Sequence, residues 1–328
     1  MVSIYNDIIK KAWRIIWRNK FLWFFGLFLV WIGQEVETLI RNYYLQTEGS
    51  LSLDSWRELF KSGFGGIFSD AWGLVSSTTL TAVVVMLVFV LLLILVVWLT
   101  VISVGGIIHS TIQAENGKAV AYNQAFAIGQ KHFWKNLIVY LLAKIADYIF
   151  LILTGLVASL VAFGVIGVVV SVIMILLSFA VSLIIGFVAK YAACYVVARG
   201  QTLTEAVRSG WKLFIKNWLA SIEMAVIIFV INFIVSLGLI IVLVIVSVPF
   251  LLLVVILSQG MAGASNVLLY VLTAIILLVT VFVGSVLSSF QFSAWVLFFL
   301  KLDQGKKLSK IIMWAERLAG RKSQPGVR

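Results

Sequence analysis

Long uncharged stretches alternate with short segments rich in basic and aromatic residues, and this alternation predicts the architecture. Residues 71–114, 148–189 and 224–300 contain no Asp, Glu, Lys or Arg. A membrane crossing by a helix needs about 20 apolar residues, so each stretch is long enough for at least one. Ahead of the apolar runs stands a recurring cassette: AWRIIWRNKFLW from Ala12, AFAIGQKHFWKNL from Ala125 and AVRSGWKLFIKNWL from Ala206. The second and third copies align without a gap over Ala125/Ala206, Gly129/Gly210, Lys131/Lys212, Phe133/Phe214, Lys135/Lys216 and Asn136/Asn217. Placing Asn19 on Asn136 brings in Arg14, Trp17 and Arg18. Cations beside ring side chains, followed by uncharged sequence, predict a helix in the headgroup zone and then a turn into hydrocarbon.

The elements follow in chain order. Ile4, Ile8, Ala12, Ile15 and Ile16 share one side of an amphipathic helix over residues 1–18, and a first span runs over 19–36. Residues 37–77 form a non-cytoplasmic segment, with a capped helix start at Ser55 and apolar residues from Trp56 to Phe68 mostly three or four apart. A second span lies in 80–108. Two helices over 136–162 and 168–197 form the next hairpin. Thr202 or Thr204 caps the third surface helix, with Glu205 in its first turn. One long helix kinked at Pro249 reaches residue 257, and a return helix covers 267–300. In the tail, Leu308, Ile311, Ile312, Trp314, Ala315 and Leu318 offer one apolar side, and 323–328 read as disordered.

The expected fold is an all-α integral membrane protein, a six-helix bundle of three parallel repeats. Each repeat is an interfacial helix plus a transmembrane hairpin, in units of about 1–118, 119–200 and 201–322 of a single domain. Four shorter crossings after the third cassette would give eight spans instead. Parallel repeats differ from the inverted repeats of many transporters.

Composition agrees. Apolar residues make up 62% of the 328 and charged residues 12%, against about 25% charged in ordinary globular domains. The net charge of +12 is unevenly spread. Of the 25 Lys and Arg, 21 lie in residues 1–20, 110–136, 190–217 and 301–328, whereas residues 33–75 hold three basic against six acidic groups. This pattern predicts cytoplasmic termini rather than nucleic-acid binding. The N-terminal basic region is amphipathic and no A-x-A-like site follows, so it reads as a retained anchor rather than a cleaved signal. The lone Cys194 excludes an internal disulfide and reads as a small apolar filler.

Candidate chemistry is sparse. Lys144, Asp147 and Glu223 are ionisable residues inside the expected spans, at broadly similar depth. They read as a packing lock between repeats or as an ion, proton or ligand site. Arg14, Arg18, Lys131, Lys135, Lys212 and Lys216 face the expected cytoplasmic surface, where anionic phospholipids or a membrane or cytoplasmic protein partner would meet them. His109 and His132 lack an obvious third ligand, so no metal site is expected. No HExxH, GxSxG, CxxC or phosphate-binding glycine loop occurs, and no cofactor or enzymatic activity is expected.

The segments AFAIGQKHFWKN, YAACYVVARGQTLTEAVRSGWKLFIKNW and FSAWVLFFLKLDQGKK resemble a broad set of uncharacterised prokaryotic integral membrane proteins. These are similar to the membrane domain found beside some glycerophosphoryl diester phosphodiesterases. The resemblance implies a multispan bundle in a prokaryotic inner membrane and no assigned catalytic residues. That enzyme's hydrolytic part is a separate soluble barrel, which this chain has no room for. The expectation is a non-enzymatic scaffold or envelope-maintenance protein, with a small transporter or permease component as the alternative.

Overall fold

A computed structural model of the chain describes residues 4–30, 79–158, 164–258 and 262–305. The segment expected at 37–77 and the tail beyond 305 lie outside the described residues. Nine helices occur among them: α1 Ile4–Arg18, α2 Leu22–Leu29, α3 Thr79–Glu115, α4 Tyr122–Lys131, α5 Phe133–Ala158, α6 Val165–Arg199, α7 Leu203–Lys216, α8 Trp218–Ser258 and α9 Ala262–Asp303. Five of these contain stretches long and apolar enough to cross a membrane: 86–115, 133–157, 165–199, 218–256 and 267–303. Their middles expose Leu91, Leu176, Ile245 and Leu278, an arrangement that suits hydrocarbon surroundings and not water. The protein is an all-helical, multi-pass membrane protein.

Each cassette folds as a short helix, a pivot and a second helix. At each pivot a side chain returns to the carbonyl four residues back, the same oxygen that accepts the pivot's own backbone N–H. Asn19 Nδ2 donates to the Ile15 carbonyl at 2.9 Å, and Asn217 Nδ2 to the Leu213 carbonyl at 3.1 Å. In the second copy the pivot is His132, whose Nδ1 lies 3.1 Å from the Ile128 oxygen. Asn136, aligned with the other two asparagines, sits one turn into α5 and is fully buried. The second span therefore begins at Phe133, earlier than the expected residue 136, because the imidazole does at 132 what the amides do at 19 and 217.

The third cassette starts as the pattern predicts. Thr202 immediately precedes α7, and its backbone N–H donates to Glu205 Oε2 at 3.1 Å. That bond is one arm of a capping box. The Thr202 hydroxyl and N–H together hold the Glu205 carboxyl below its usual range. α8 runs unbroken through Pro249 to Ser258, 41 residues in all, or about 60 Å of helix against a hydrocarbon core of about 30 Å.

The described residues cluster into two compact units that interleave along the sequence. One comprises Met1–Leu29, Ser110–Val120 and Lys212–Arg328, the other Val30–His109 and Ala121–Trp211, each as far as it is described. In the second, α5 and α6 form a hairpin laced by small polar groups. Ser182 donates to Asp147 at 3.0 Å, Thr154 meets Ser178, and Ser171 reaches the Val157 carbonyl at 3.2 Å. At its base Lys135 Nζ donates to the Gln201 carbonyl at 3.1 Å, so the hairpin begins and ends at one level. A Cβ on Gly129 of α4 would run into Ile102 of α3, and one on Gly210 of α7 would lie 3.1 Å from backbone atoms of Val188 and Ala192 in α6. Each of these surface helices thus presses its backbone on the helix before it.

In the other unit α1 packs on α9. Tyr5 stacks on Phe298 at 6.3 Å between centroids, and Trp13 meets Phe290 edge-on. α2 also lies against α9, with Ser289 donating to the Leu22 carbonyl at 2.7 Å and Ser285 to that of Trp23. Gln291 donates to Asn232 at 2.7 Å and joins α9 to α8. Helices that meet without a hydrophobic drive between them rely on such close backbones and polar pairs.

Candidate functional site

The spacing of residues in α1 decides what it buries and what it presents. Tyr5, Ile8, Ala12, Ile15 and Ile16 are buried, while Lys10, Trp13, Arg14, Trp17 and Arg18 are exposed. Lys10 and Arg14 are four apart, as are Trp13 and Trp17, so they form adjoining ridges. The two indoles meet edge-on at 5.5 Å, and Trp17 meets Trp23 of α2 at 5.1 Å. This face of α1 borders a groove of about 650 Å³. Ile231 and Val235 of α8 and Leu287 and Phe290 of α9 supply the far walls. The result is an apolar trough with two cations and two indoles along one edge.

The other basic residues expected at the surface are placed on α4, α5 and α7. Lys131, Lys212 and Lys216 are exposed, and Trp134, Trp211 and Trp218 stand exposed beside the pivots. Lys135 is different. It is half-buried, and its ammonium serves the Gln201 carbonyl just past the C-terminus of α6, where the helix dipole favours a cation.

Lys144 and Asp147 lie one turn apart on α5, both half-buried, and Asp147 takes its hydrogen bond from Ser182. Glu223, near the start of α8, accepts from the Tyr5 hydroxyl at 2.6 Å. Each carboxylate is thus engaged by a hydroxyl on a neighbouring helix of its own unit.

Sequence reasoning missed a run of alternating charges. Lys301 Nζ lies 2.8 Å from Asp7, Asp7 lies 4.0 Å from Lys11, and Lys11 donates to Glu115 at 2.8 Å. It ties α1 to the ends of α9 and α3. The Lys301 amine beside Asp7 holds that carboxyl below its usual range, and the Glu115 carboxylate raises the Lys11 amine. Asp7 and Lys11 are nearly half exposed, so each pair contributes at most about 1 kcal/mol. Only the Asp7–Lys11 spacing was visible in advance.

Among the described residues no group of three or more His, Cys, Asp and Glu is placed to hold a metal ion. Compared with protein-family models, curated proteins and solved structures, the chain matches none.

Proposed function

We propose that this is a non-enzymatic inner-membrane scaffold or envelope-maintenance protein that engages anionic phospholipid, or a protein partner, through a basic cytoplasmic face. The exposed cation–indole faces at the pivots support the reading most directly. In a headgroup layer that is commonly anionic, each such charge adds roughly 1 kcal/mol of attraction.

The same reading takes the chain as three parallel repeats and six crossings, with both termini cytoplasmic. The shared helix–pivot–helix plan and the level base of the α5–α6 hairpin support it. So does the pairing of surface helices: α4 with α3, α7 with α6, and α1 with the last return helix, α9. The likeness to the membrane domains of uncharacterised prokaryotic proteins is carried on the sequence motifs alone.

The alternative, a small transporter component using Lys144, Asp147 and Glu223, is the weaker reading. Hydroxyls already engage both carboxylates, and this favours a lock between helices over an ion site.

Changing Lys131, Lys135, Lys212 and Lys216 together to Gln tests the proposal. The protein is reconstituted in mixed phosphatidylglycerol–phosphatidylcholine liposomes and excised with its lipid shell. Phosphatidylglycerol should be enriched around the wild type, and the variant should lose most of that enrichment. A triple variant that keeps Lys135, and with it the hairpin base, should lose nearly as much. An unchanged shell composition in both variants contradicts the reading.

A further inference from the structure

We infer that the groove between α1 and the α8–α9 pair is a site for one anionic phospholipid drawn from the bilayer, its phosphate on Lys10 and Arg14 and an acyl chain along Ile231, Val235 and Leu287. The inference rests on the anionic-lipid reading above and gives it a defined place.

Shape and charge together select the occupant. The groove's volume of about 650 Å³ falls within the roughly 300–1,000 Å³ of small-molecule sites. A free inorganic anion would leave the apolar walls uncovered, and an alkane would leave the two cations without a counterion. An amphiphile with a phosphate beside a hydrocarbon chain satisfies both. Its source is the surrounding membrane, because Ile231, Val235 and Leu287 belong to stretches apolar enough to span one.

The cations are available. Asp7, the only acidic residue of α1, is engaged by Lys301 and Lys11. Among the described residues neither Lys10 nor Arg14 forms an ion pair with a carboxylate. A guanidinium presents a planar fork that matches two phosphate oxygens, and the ammonium four residues away adds a point charge. Trp13 and Trp17 line the same edge, where indoles settle at headgroup depth. The alternating charges of α1, α3 and α9 thus have a second effect. By occupying Asp7 they leave the outer cations of the same helix to a ligand.

Native mass spectrometry of the full chain in detergent, titrated with palmitoyl-oleoyl phosphatidylglycerol or the matching phosphatidylcholine, tests the site. Wild type should retain a first phosphatidylglycerol more tightly than phosphatidylcholine, by on the order of tenfold. The double variant Lys10→Gln/Arg14→Gln should erase that preference. The swap Lys10→Arg/Arg14→Lys should keep most of it. Val235→Phe, which fills the trough and leaves the charges in place, should weaken retention of both lipids. Thermal unfolding run in parallel identifies a variant that has merely misfolded, and if Val235→Phe is one, Leu287→Phe takes its place. An undiminished preference in folded Lys10→Gln/Arg14→Gln overturns the site. If the four-lysine variant still loses its lipid enrichment in that case, the groove alone is wrong and the basic-face reading stands. If neither responds, both fall.

Discussion

Replacing Gly26 with alanine is expected to destabilise the protein strongly. A Cβ there would overlap the backbone oxygen of Ser285 and the hydroxyl of Ser289. The first obstacle is main chain, so no rotamer change relieves it. The second is the hydroxyl that donates to the Leu22 carbonyl. Moving α2 away from α9 removes the clash but gives up this bond and the Ser285–Trp23 bond together. Overpacking costs typically about 1–3 kcal/mol, and each lost hydrogen bond about 1 kcal/mol more. The expected loss is therefore about 3–5 kcal/mol, read as a lower unfolding midpoint in detergent. A midpoint equal to wild type would mean that α2 does not lie on α9 as described.

Gly129→Ala is expected to follow closely, and its value lies in the comparison it permits. The new methyl would strike Ile102, whose carbonyl is fixed in α3, and would lie 2.8 Å from the Ile102 Cγ2. Gly210, the aligned glycine of the third cassette, has its nearest neighbours at 3.1 Å, so its alanine variant should cost less, about 1 kcal/mol. Gly238 in α8 has nothing within 4 Å of a built Cβ. There alanine should be neutral or slightly stabilising, since glycine costs a helix about 1 kcal/mol relative to alanine. The predicted order of unfolding midpoints is Gly129→Ala lowest, then Gly210→Ala, with Gly238→Ala at or above wild type. A reversed order would contradict the packing of α4 on α3 and α7 on α6.

These glycines mark how far the sequence could be read. The alignment of Ala125/Gly129 with Ala206/Gly210 was visible, but nothing in it named Ile102 or Ala192 as the surfaces they meet. The uncharged stretches announced the long helices because a bilayer forbids charge over a known length. The junctions were legible because Asn19 and Asn217 act on their own backbone within four residues. His132 broke the alignment since imidazole and amide both reach a carbonyl one turn back, and the pattern cannot choose between them.

Longer-range partners were not legible. Lys301 and Asp7 are separated by 294 residues, and Tyr5 and Glu223 by 218. Hydrophobic period carries no information about which helix meets which. For the same reason the cations of α1, Lys10 and Arg14 among them, could be read as headgroup contacts, while the trough beside them emerged only when α1 was seen against α8 and α9.

In the proposed topology the chain returns to one positively charged, cytoplasmic face after each pair of crossings. Single cysteines placed at Lys20, Lys131 and Lys212, in a Cys194→Ala background, measure this directly in intact cells with a membrane-impermeant maleimide. All three should resist labelling until the membrane is opened, whereas a cysteine at Gly164, before α6, should be labelled from outside. Labelling of any one of the three from outside, while the others stay protected, would contradict this topology.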